Sequence, residues 1–251
     1  MEKDLKKIDQ SIDEYRKRVK GVEDVRVGSE VFDKSTLLTL YRFANKGFID
    51  TLLGVIKTGK EANVFRAVGR GGEDYAVKIH RVTTSDFRNM WRYIDGDRRF
   101  SRIKRTRRGI VYAWVEKEFK NLELALNAGV RVPRPVVSRN NVLIMEFVGD
   151  EKAADMLKNS RLEDPESVFL ELREALKIMR MRGFVHGDFS EYNVLMDGDK
   201  PVIIDFSQGV LKHHPLFEEL LVRDVSNLAR FFNRFFDVDR AEVYKYVTGA
   251  L

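Results

Sequence analysis

Three short runs of β-forming residues, joined by tight turns, most constrain what this chain can fold into. The runs are "TLLGVIK", "ANVFRAV" and "YAVKIH", and they begin at Thr51, Ala62 and Tyr75. The second and third are separated by "GRGGED", a glycine-rich turn of the kind that closes a hairpin. The sequence therefore predicts an antiparallel sheet in this part of the chain.

The turn between the first two runs carries the spacing Gly-x-x-x-x-Gly-Lys, which ends at Lys60. A nucleotide-binding P-loop has this spacing, but it continues with Ser or Thr and leads into a helix whose first N–H groups bind phosphate. Here Glu61 follows, and then a strand. We interpret the segment as a strand, a turn that faces phosphate, and a second strand. The predicted nucleotide contacts in it are Lys57, Thr58, Gly59 and Lys60, although Lys57 could equally point to solvent.

Composition limits the class of protein. A chain of 251 residues that is 43% hydrophobic can bury a substantial core, as one two-lobed domain or two small domains. It has no cysteine, which excludes a disulfide partner, and no apolar run near the roughly 20 residues of a membrane span. We therefore expect a cytoplasmic protein without a membrane partner. The net charge of +6 suits a phosphate-rich partner, or is only a basic surface.

The first 50 residues are predicted to form a helical extension. Apolar residues recur at spacings of three and four over residues 2–20, which indicates a docking helix. A second helix is predicted to begin at an N-cap formed by Asp33 or Ser35 and to end before Gly47.

The rest of the chain changes from strands to helices, which predicts an α+β fold of two lobes. Residues 51–148 form the sheet lobe, with a basic insertion near 81–110 that is interpreted as a long mobile or inserted segment. Residues 149–251 form a helical lobe, with one helix that begins after Asp164 and a long final helix over "LFEELLVRDVSNLARFFNRFF".

One lysine on the predicted sheet has the setting of a phosphate-binding residue. Lys78 lies in "YAVKI" with Ala76 two residues before it, the form of the strand lysine of kinases. In that setting lysine contacts phosphate oxygens, and the small alanine leaves room for adenine. The alternative is a solvated charge at a strand end. Glu118, on the next predicted helix, is the expected partner of Lys78, with Glu116 as the competing choice.

Two later segments carry acidic and amide side chains in the order and spacing of a kinase site. Asp188 and Asn193 are five apart in "HGDFSEYN", as in a catalytic loop where Asp acts on the attacking hydroxyl and Asn binds metal. Asp205 ends the apolar strand of "VIIDFSQG", where its carboxylate suits Mg²⁺ or Mn²⁺. A polar turn and a capping aspartate are the alternatives. Together with Lys78, the order and spacing favour an ATP site.

Further residues complete the predicted site. The strand "LIMEF" supplies the adenine edge through Met145, Glu146 and Val148, and the ring is expected to lie between Val64 and Leu195. Asp224 and His186 look catalytic in isolation. We interpret Asp224 instead as a support that accepts hydrogen bonds from the catalytic-loop backbone, and His186 as a packed loop residue.

Over roughly residues 30–240 the sequence resembles the RIO atypical protein kinases, and within them the Rio-one subfamily. The resemblance is carried by "TGKEANVF", "YAVKI", "EKEFKNL", "VPRP", "MEFVG", "HGDFSEYNVL", "IIDFSQG" and "RDVSNL". "KEANV" separates the chain from the Rio-two group. The resemblance implies a two-lobed protein-kinase-like fold whose C-lobe is reduced and helical.

The resemblance also implies an activity. It implies an ATP-dependent serine/threonine kinase or ATPase with Asp188 catalytic, Asn193 and Asp205 as metal ligands and Lys78 on the phosphates. It further implies action on pre-ribosomal small-subunit particles, made of rRNA and proteins. In an ATPase, Asp205 itself could accept the phosphate.

Departures from ordinary protein kinases narrow the expectation. Ser190 stands where those kinases carry a lysine, two residues after the catalytic Asp. Only 46 residues follow Asp205, too few for an activation segment and peptide-docking helices.

Two other functions and one binding question stay open on the sequence. A small-molecule phosphotransferase of the aminoglycoside or choline kinase type also uses "HGD" with Asn five residues after Asp. A non-catalytic nucleotide-binding scaffold is the other alternative. The run "RRFSRIKRTRR" is either an RNA contact or a solvated loop.

Overall fold

The computed structural model describes residues 32–83 and 86–250, and they divide into two compact units. The first unit comprises the described residues up to Phe87 together with Lys104–Glu116 and Pro135–Phe147. The second comprises Arg88–Ile103, Lys117–Arg134 and the described residues from Val148 onward. The helix predicted over residues 2–20 lies outside the described residues.

The first unit is built on a five-stranded antiparallel sheet, as the sequence predicts. Its strands pair in the order β1-β2-β3-β5-β4. Their bounds are β1 Thr51–Thr58, β2 Ala62–Val68, β3 Asp74–His80, β4 Pro135–Arg139 and β5 Val142–Glu146.

Helix α1, Lys34–Asn45, covers one face of this sheet. Asp33 is its N-cap, because the Asp33 carboxylate accepts a 2.8 Å hydrogen bond from the backbone N–H of Thr36. The apolar side of α1 and one face of β2, β3 and β5 form a single buried cluster, whose members include Leu40, Phe43, Phe65, Val77 and Ile144.

The segment near 81–110, interpreted from the sequence as mobile or inserted, contains regular structure. It contains helix α2, Phe87–Ile94, and a 3₁₀ turn over Arg98–Phe100. Helix α3, Arg107–Asn127, follows and belongs to the first unit up to Glu116 and to the second from Lys117.

The second unit contains three further helices. Helix α4, Pro165–Met181, is capped by Asp164 as predicted. Helix α5, Phe217–Phe232, lies within the segment that was predicted as the long final helix. A last helix, α6, Arg240–Thr248, was not expected. These three helices pack on one another.

Short strands complete the second unit. β6 (Asp155–Met156), β8 (Val194–Asp197) and β9 (Lys200–Ile203) form a three-stranded sheet, and β7 (Phe184–Val185) pairs with β10 (Val210–Leu211). β8 and β9 are the two strands predicted around the "DGD" turn. Across the described ranges, no helix has the length and apolar character needed to cross a membrane.

Candidate active site

The register of the first unit's sheet brings five of the predicted site residues to one face. Lys57 pairs with Val64, and Val64 pairs with Lys78, so these three form a row across β1, β2 and β3. Ala76, two residues before Lys78, pairs with Met145 in the neighbouring row. Side chains alternate along a strand, so these five lie on the face opposite the core cluster. The opposite face, with Phe65 and Val77 among others, packs on α1.

Lys78 is not the solvated strand-end lysine that the sequence left as an alternative. Its exposed fraction is 7%, and its neighbours along the strand, Val77 and Ile79, are fully buried. A lysine is rarely buried unless its charge is matched. The burial of Lys78 therefore favours a role in a binding site over that of a solvated surface charge.

The turn between β1 and β2 leads from strand to strand, which excludes a P-loop geometry. The backbone N–H of Gly59 donates a 2.9 Å hydrogen bond to the carbonyl of Ala62, and β2 begins directly afterwards. A Cβ on Gly59 would lie 3.0 Å from that carbonyl oxygen, so the tight turn favours glycine. Lys57, Thr58 and Lys60 are exposed on the turn and the strand end before it.

In the second unit, the Asp and Asn of the predicted catalytic loop are held together. The amide nitrogen Nδ2 of Asn193 donates to the backbone carbonyl of Asp188 at 2.9 Å and to its carboxylate Oδ2 at 3.1 Å. Asn193 is nearly buried, and Asp188 is half-buried. Because the amide nitrogen is directed at Asp188, the Asn193 oxygen Oδ1 is the atom suited to binding a cation.

The β8–β9 hairpin brings Asp205 to the same end as Asn193. Asn193 directly precedes β8, and the N–H of Ile204, after β9, donates to the Asn193 carbonyl at 2.9 Å. Asp205 has a left-handed backbone, with φ 63° and ψ 65°, and its Oδ1 accepts a 2.7 Å hydrogen bond from the Ser207 hydroxyl. The three residues of the predicted catalytic and metal site therefore lie on connected segments of one unit.

The donor set fits a magnesium ion better than a metal held entirely by protein. Within the described chain, no group of three or more His, Cys, Asp and Glu side chains could hold a metal. One carboxylate and one amide oxygen, from Asp205 and Asn193, match the way Mg²⁺ binds through few protein ligands plus phosphate and water.

Asp224 supports the catalytic loop, as interpreted from the sequence. Its two carboxylate oxygens accept hydrogen bonds from the backbone N–H groups of Gly187, at 2.8 Å, and Phe189, at 3.0 Å. These two residues flank Asp188. Asp224 is fully buried on α5, and this burial raises the pKa of its carboxyl to about 7.

His186 is packed in the loop as a neutral ring. Its Nε2 lies 3.0 Å from the carbonyl of Ile204, and its Nδ1 accepts from the N–H of Asp188 at 3.2 Å. The second contact requires an unprotonated Nδ1, so the proton lies on Nε2 and is donated to Ile204. Burial lowers the pKa of His186 to about 4. His186 therefore connects the Asp188 loop to the Asp205 segment and is not poised as a base.

Helix α3 contributes buried polar residues that the sequence did not single out. The Nζ of Lys117 donates to the carbonyls of Ser207, at 3.0 Å, and Gly209, and burial lowers the pKa of Lys117 to about 7. Asn121, one helical turn later, is also buried. The sequence carried a signal, namely two polar residues at a spacing of four on this helix, but exposed charged surfaces use the same residue types.

Burial separates the two candidate partners of Lys78. Glu118 is fully buried, whereas Glu116 is exposed. Of the residues predicted at the adenine, Leu195 and Val148 are half-buried in the second unit, and Glu146 is exposed at the end of β5. Their contacts with adenine stay predictions.

The fold has the components of a protein-kinase-like protein. These are an antiparallel sheet that bears a buried lysine, and an Asp–Asn loop next to a hairpin that presents a second Asp. Solved structures agree with this class. The chain is similar to the Rio2 kinase-ADP/Mg²⁺-phosphoaspartate complex from Chaetomium thermophilum, with a TM-score of 0.65 and 25% identity over 85% of this chain and 66% of that one. A second structure of Rio2 kinase from the same organism gives a TM-score of 0.65 at 24% identity, over 86% of this chain and 71% of that one.

Sequence comparison defines the family. The RIO domain model matches residues 63–245. The RIO-type serine/threonine-protein kinase Rio1 of Haloferax volcanii is 45% identical over 96% of this chain and 84% of its own length. The Rio1 kinase of Methanocaldococcus jannaschii is 44% identical over 94% of this chain and 83% of its own length. Human serine/threonine-protein kinase RIO1 is 36% identical over 86% of this chain and 39% of its own length. The chain therefore belongs to the RIO family of atypical serine/threonine protein kinases, and its resemblance to the Rio-one subfamily is confirmed.

Proposed function

We propose that the chain uses Mg-ATP as its phosphoryl donor and acts as a serine/threonine kinase, as an ATPase, or as both. The observation that carries this proposal is the hydrogen bonding of Asn193 to Asp188, next to the hairpin that presents Asp205. A carboxylate for the attacking hydroxyl and oxygen ligands for a cation are what phosphoryl transfer requires.

Asp188 is proposed as the catalytic residue. In the kinase reaction its carboxylate orients the attacking hydroxyl and accepts its proton while the bond from the γ-phosphorus to the leaving ADP oxygen breaks. In the ATPase reaction it does the same for the water that attacks the transferred phosphoryl group. The Asn193 hydrogen bond to Oδ2, at 3.1 Å, fixes the direction of that carboxylate. Asn193 Oδ1 and the Asp205 carboxylate would hold magnesium, which would supply positive charge against the phosphates.

The first unit is proposed to supply the nucleotide contacts. Lys78 and Lys60 offer amino groups, and Thr58 and Gly59 offer a hydroxyl and backbone groups near the turn between β1 and β2. Because Ser190 replaces the lysine that ordinary kinases place near the γ-phosphate, these lysines would carry more of the charge balance. Glu118, the buried candidate, is proposed to orient Lys78.

We also propose that Asp205 accepts the γ-phosphoryl group when the chain acts as an ATPase. A carboxylate oxygen would attack phosphorus, ADP would leave, and water would then cleave the acyl phosphate to release inorganic phosphate. Support comes from the similar Rio2 kinase, whose structure is described as a phosphoaspartate complex. Labelled phosphoenzyme from γ-labelled ATP should be lost on hydroxylamine treatment and should not form in Asp205→Asn. A label that persists in Asp205→Asn would contradict the step.

Small-subunit pre-ribosomal particles in the cytoplasm are proposed as the setting. The support is family resemblance together with the basic residues between 98 and 108, of which Arg98, Arg102, Lys104, Arg105, Arg107 and Arg108 are exposed. Such residues bind RNA phosphates with an affinity that falls as salt rises.

Turnover assays separate these activities from the competing ones. ATP hydrolysis and transfer to protein should be measured with and without small ribosomal subunits, in wild type and in Asp188→Asn. We expect Mg²⁺-dependent turnover that Asp188→Asn abolishes and that subunits change. Turnover that responds only to a soluble alcohol would favour a small-molecule phosphotransferase, and none with Mg²⁺ or Mn²⁺ would favour a scaffold.

A further inference from the structure

The segment after Asp205 adopts a backbone that its own residues do not fully stabilise. Asp205 is left-handed, and a single 3₁₀ turn, Phe206–Gln208, follows it. Phe206 and Ser207 are buried, so the carbonyls of this turn face protein and not water. A short 3₁₀ turn leaves most of its carbonyls without an internal partner. Other side chains must therefore satisfy them.

Two side chains of α3 do so. The Nδ2 of Asn121 donates to the carbonyls of Phe206 and Gly209, both at 2.9 Å. Lys117, one helical turn earlier, donates to Ser207 and Gly209. Three carbonyls in the four residues after Asp205 are thus bound from one helix face. These hydrogen bonds fix the path of the chain on which Asp205 lies.

A second layer fixes the orientation of the Asn121 amide. Arg99 donates from Nη2 to the Asn121 oxygen Oδ1 at 2.9 Å, so the amide nitrogen must point to the carbonyls. Arg99 is itself held by Asp97, with an Nη2 to Oδ2 distance of 2.7 Å, and the Asp97 side chain is 1% exposed. The contacts therefore run without interruption from Asp97 through Arg99 and Asn121 to the Asp205 segment.

Arg99 belongs to the basic run "RRFSRIKRTRR", which the sequence indicates to be either an RNA contact or a solvated loop. The structure separates it from its neighbours, since Arg98 is exposed and Arg99 is partly buried in the ion pair with Asp97. Residues used internally and residues open to a partner are thus adjacent in sequence.

We propose that Asn121 and Arg99 are positioning residues for the metal site, which hold Asp205 in its left-handed conformation through the carbonyls of residues 206–209. This inference rests on the proposed function, in which Asp205 is a metal ligand. Neither residue needs to touch nucleotide or metal. Removing the Asn121 donors would take one hydrogen bond from each of the Phe206 and Gly209 carbonyls, which would keep only the Gly209 N–H and the Lys117 Nζ as donors, and would loosen the segment.

Two substitutions test the proposal with matched controls. Asn121→Asp keeps the shape but loses the N–H donors, and Asn127→Asp makes the same change at an exposed position of α3. Arg99→Gln removes the hydrogen bond to Asn121 Oδ1 together with the ion pair to Asp97, and Arg98→Gln makes the same change at the exposed neighbouring position. If Asn121→Asp does not fold, Arg99→Gln still decides.

The first readout is amide hydrogen exchange, which requires no nucleotide. We expect exchange in peptides covering residues 204–211 to speed up about tenfold in Asn121→Asp and less in Arg99→Gln, with β5 unchanged. The controls should match wild type. Unchanged exchange at 204–211 in both test variants would overturn the proposal.

The second readout is the metal dependence of turnover. The Mg²⁺ concentration for half-maximal turnover should rise about tenfold in Asn121→Asp, while the KM for ATP at saturating Mg²⁺ changes little. A general loss of stability would lower Tm without this split, and that result would overturn the positioning role. If wild type shows no metal-dependent turnover, the proposed function fails, while hydrogen exchange still tests the hold on the segment.

Discussion

Replacing Asp224 should loosen the catalytic loop from a distance, because its carboxylate is the acceptor for two buried N–H groups. Asp224→Ala leaves the N–H groups of Gly187 and Phe189 without the acceptors now 2.8 and 3.0 Å away. At about 1–3 kcal/mol for each unsatisfied buried donor, the free energy of unfolding should fall by about 2–6 kcal/mol. Asp224→Asn keeps one acceptor oxygen and should lose about half as much.

The loss should depend on pH, with a sign fixed by the raised pKa. The carboxyl has a pKa of about 7 in the folded chain and about 3.8 when it is open to water, so ionising it costs more in the folded state. Wild type therefore loses stability as pH rises from about 4 to about 7, and Asp224→Ala does not. The difference between them should be largest at about pH 4 and below, and it should narrow by up to about 3 kcal/mol between pH 5 and pH 8.

Urea unfolding at pH 5 and pH 8 measures both effects, and the control is Glu218→Ala at an exposed position of the same helix. The control should stay within about 1 kcal/mol of wild type, the usual range for a charge near a helix N-terminus. Two results would refute the reasoning: Asp224→Ala matching Glu218→Ala at pH 5, or a difference that widens as pH rises.

Three further outcomes are expected. Glu118→Gln should lower kcat/KM at least about tenfold and Glu116→Gln should not, because only the buried carboxylate is proposed to orient Lys78. Steady-state ATP turnover measures this, and equal effects of the two substitutions would contradict that role of Glu118. His186 has a pKa of about 4 in the folded chain, below the ordinary 6.5 of histidine, so the free energy of unfolding of wild type should fall by up to about 3 kcal/mol relative to His186→Gln as pH falls from 6.5 to 4. Unfolding curves across that range check it, and a constant difference would contradict it. The Tyr246 ring packs against Arg173, whose Cζ lies 3.9 Å from the ring centre, and the Tyr246 hydroxyl donates to Glu174. In urea unfolding, the free energy of unfolding should therefore fall by about 2–3 kcal/mol in Tyr246→Ala and by about 1 kcal/mol in Tyr246→Phe, and equal losses would assign the stability to the hydroxyl and not to the ring.

Local patterns predicted much of the fold. Three predicted features are each determined by residues that are neighbours in the sequence, and each is found as expected: the glycine turn before Tyr75, the strand that follows Glu61 and the Asp164 cap. The missed helices had local signals too. Phe87, Met90 and Ile94 follow helical spacing, but the surrounding basic residues suggested a mobile insertion.

The candidate site was likewise predicted in part: some of its residues were found from the sequence and others were missed. Asp188, Asn193 and Asp205 were accessible because their spacing along the chain carries the signal. The contacts of Lys117 and Asn121 join positions more than 80 residues apart, and no spacing in a single sequence reports such a pairing. The left-handed backbone of Asp205 was equally invisible, because aspartate tolerates it without requiring it.

The central claim is that Asp188 acts on the reacting phosphoryl group and does not merely hold the loop together. The direct test is single-turnover release of γ-labelled phosphate, with ATP affinity measured on the same preparations of wild type, Asp188→Asn and the exposed control Asp199→Asn. We predict that Asp188→Asn slows release by about 10²-fold or more, while its Kd for ATP stays within about threefold of wild type. Release by Asp188→Asn at the wild-type rate, with ATP bound, would contradict the account.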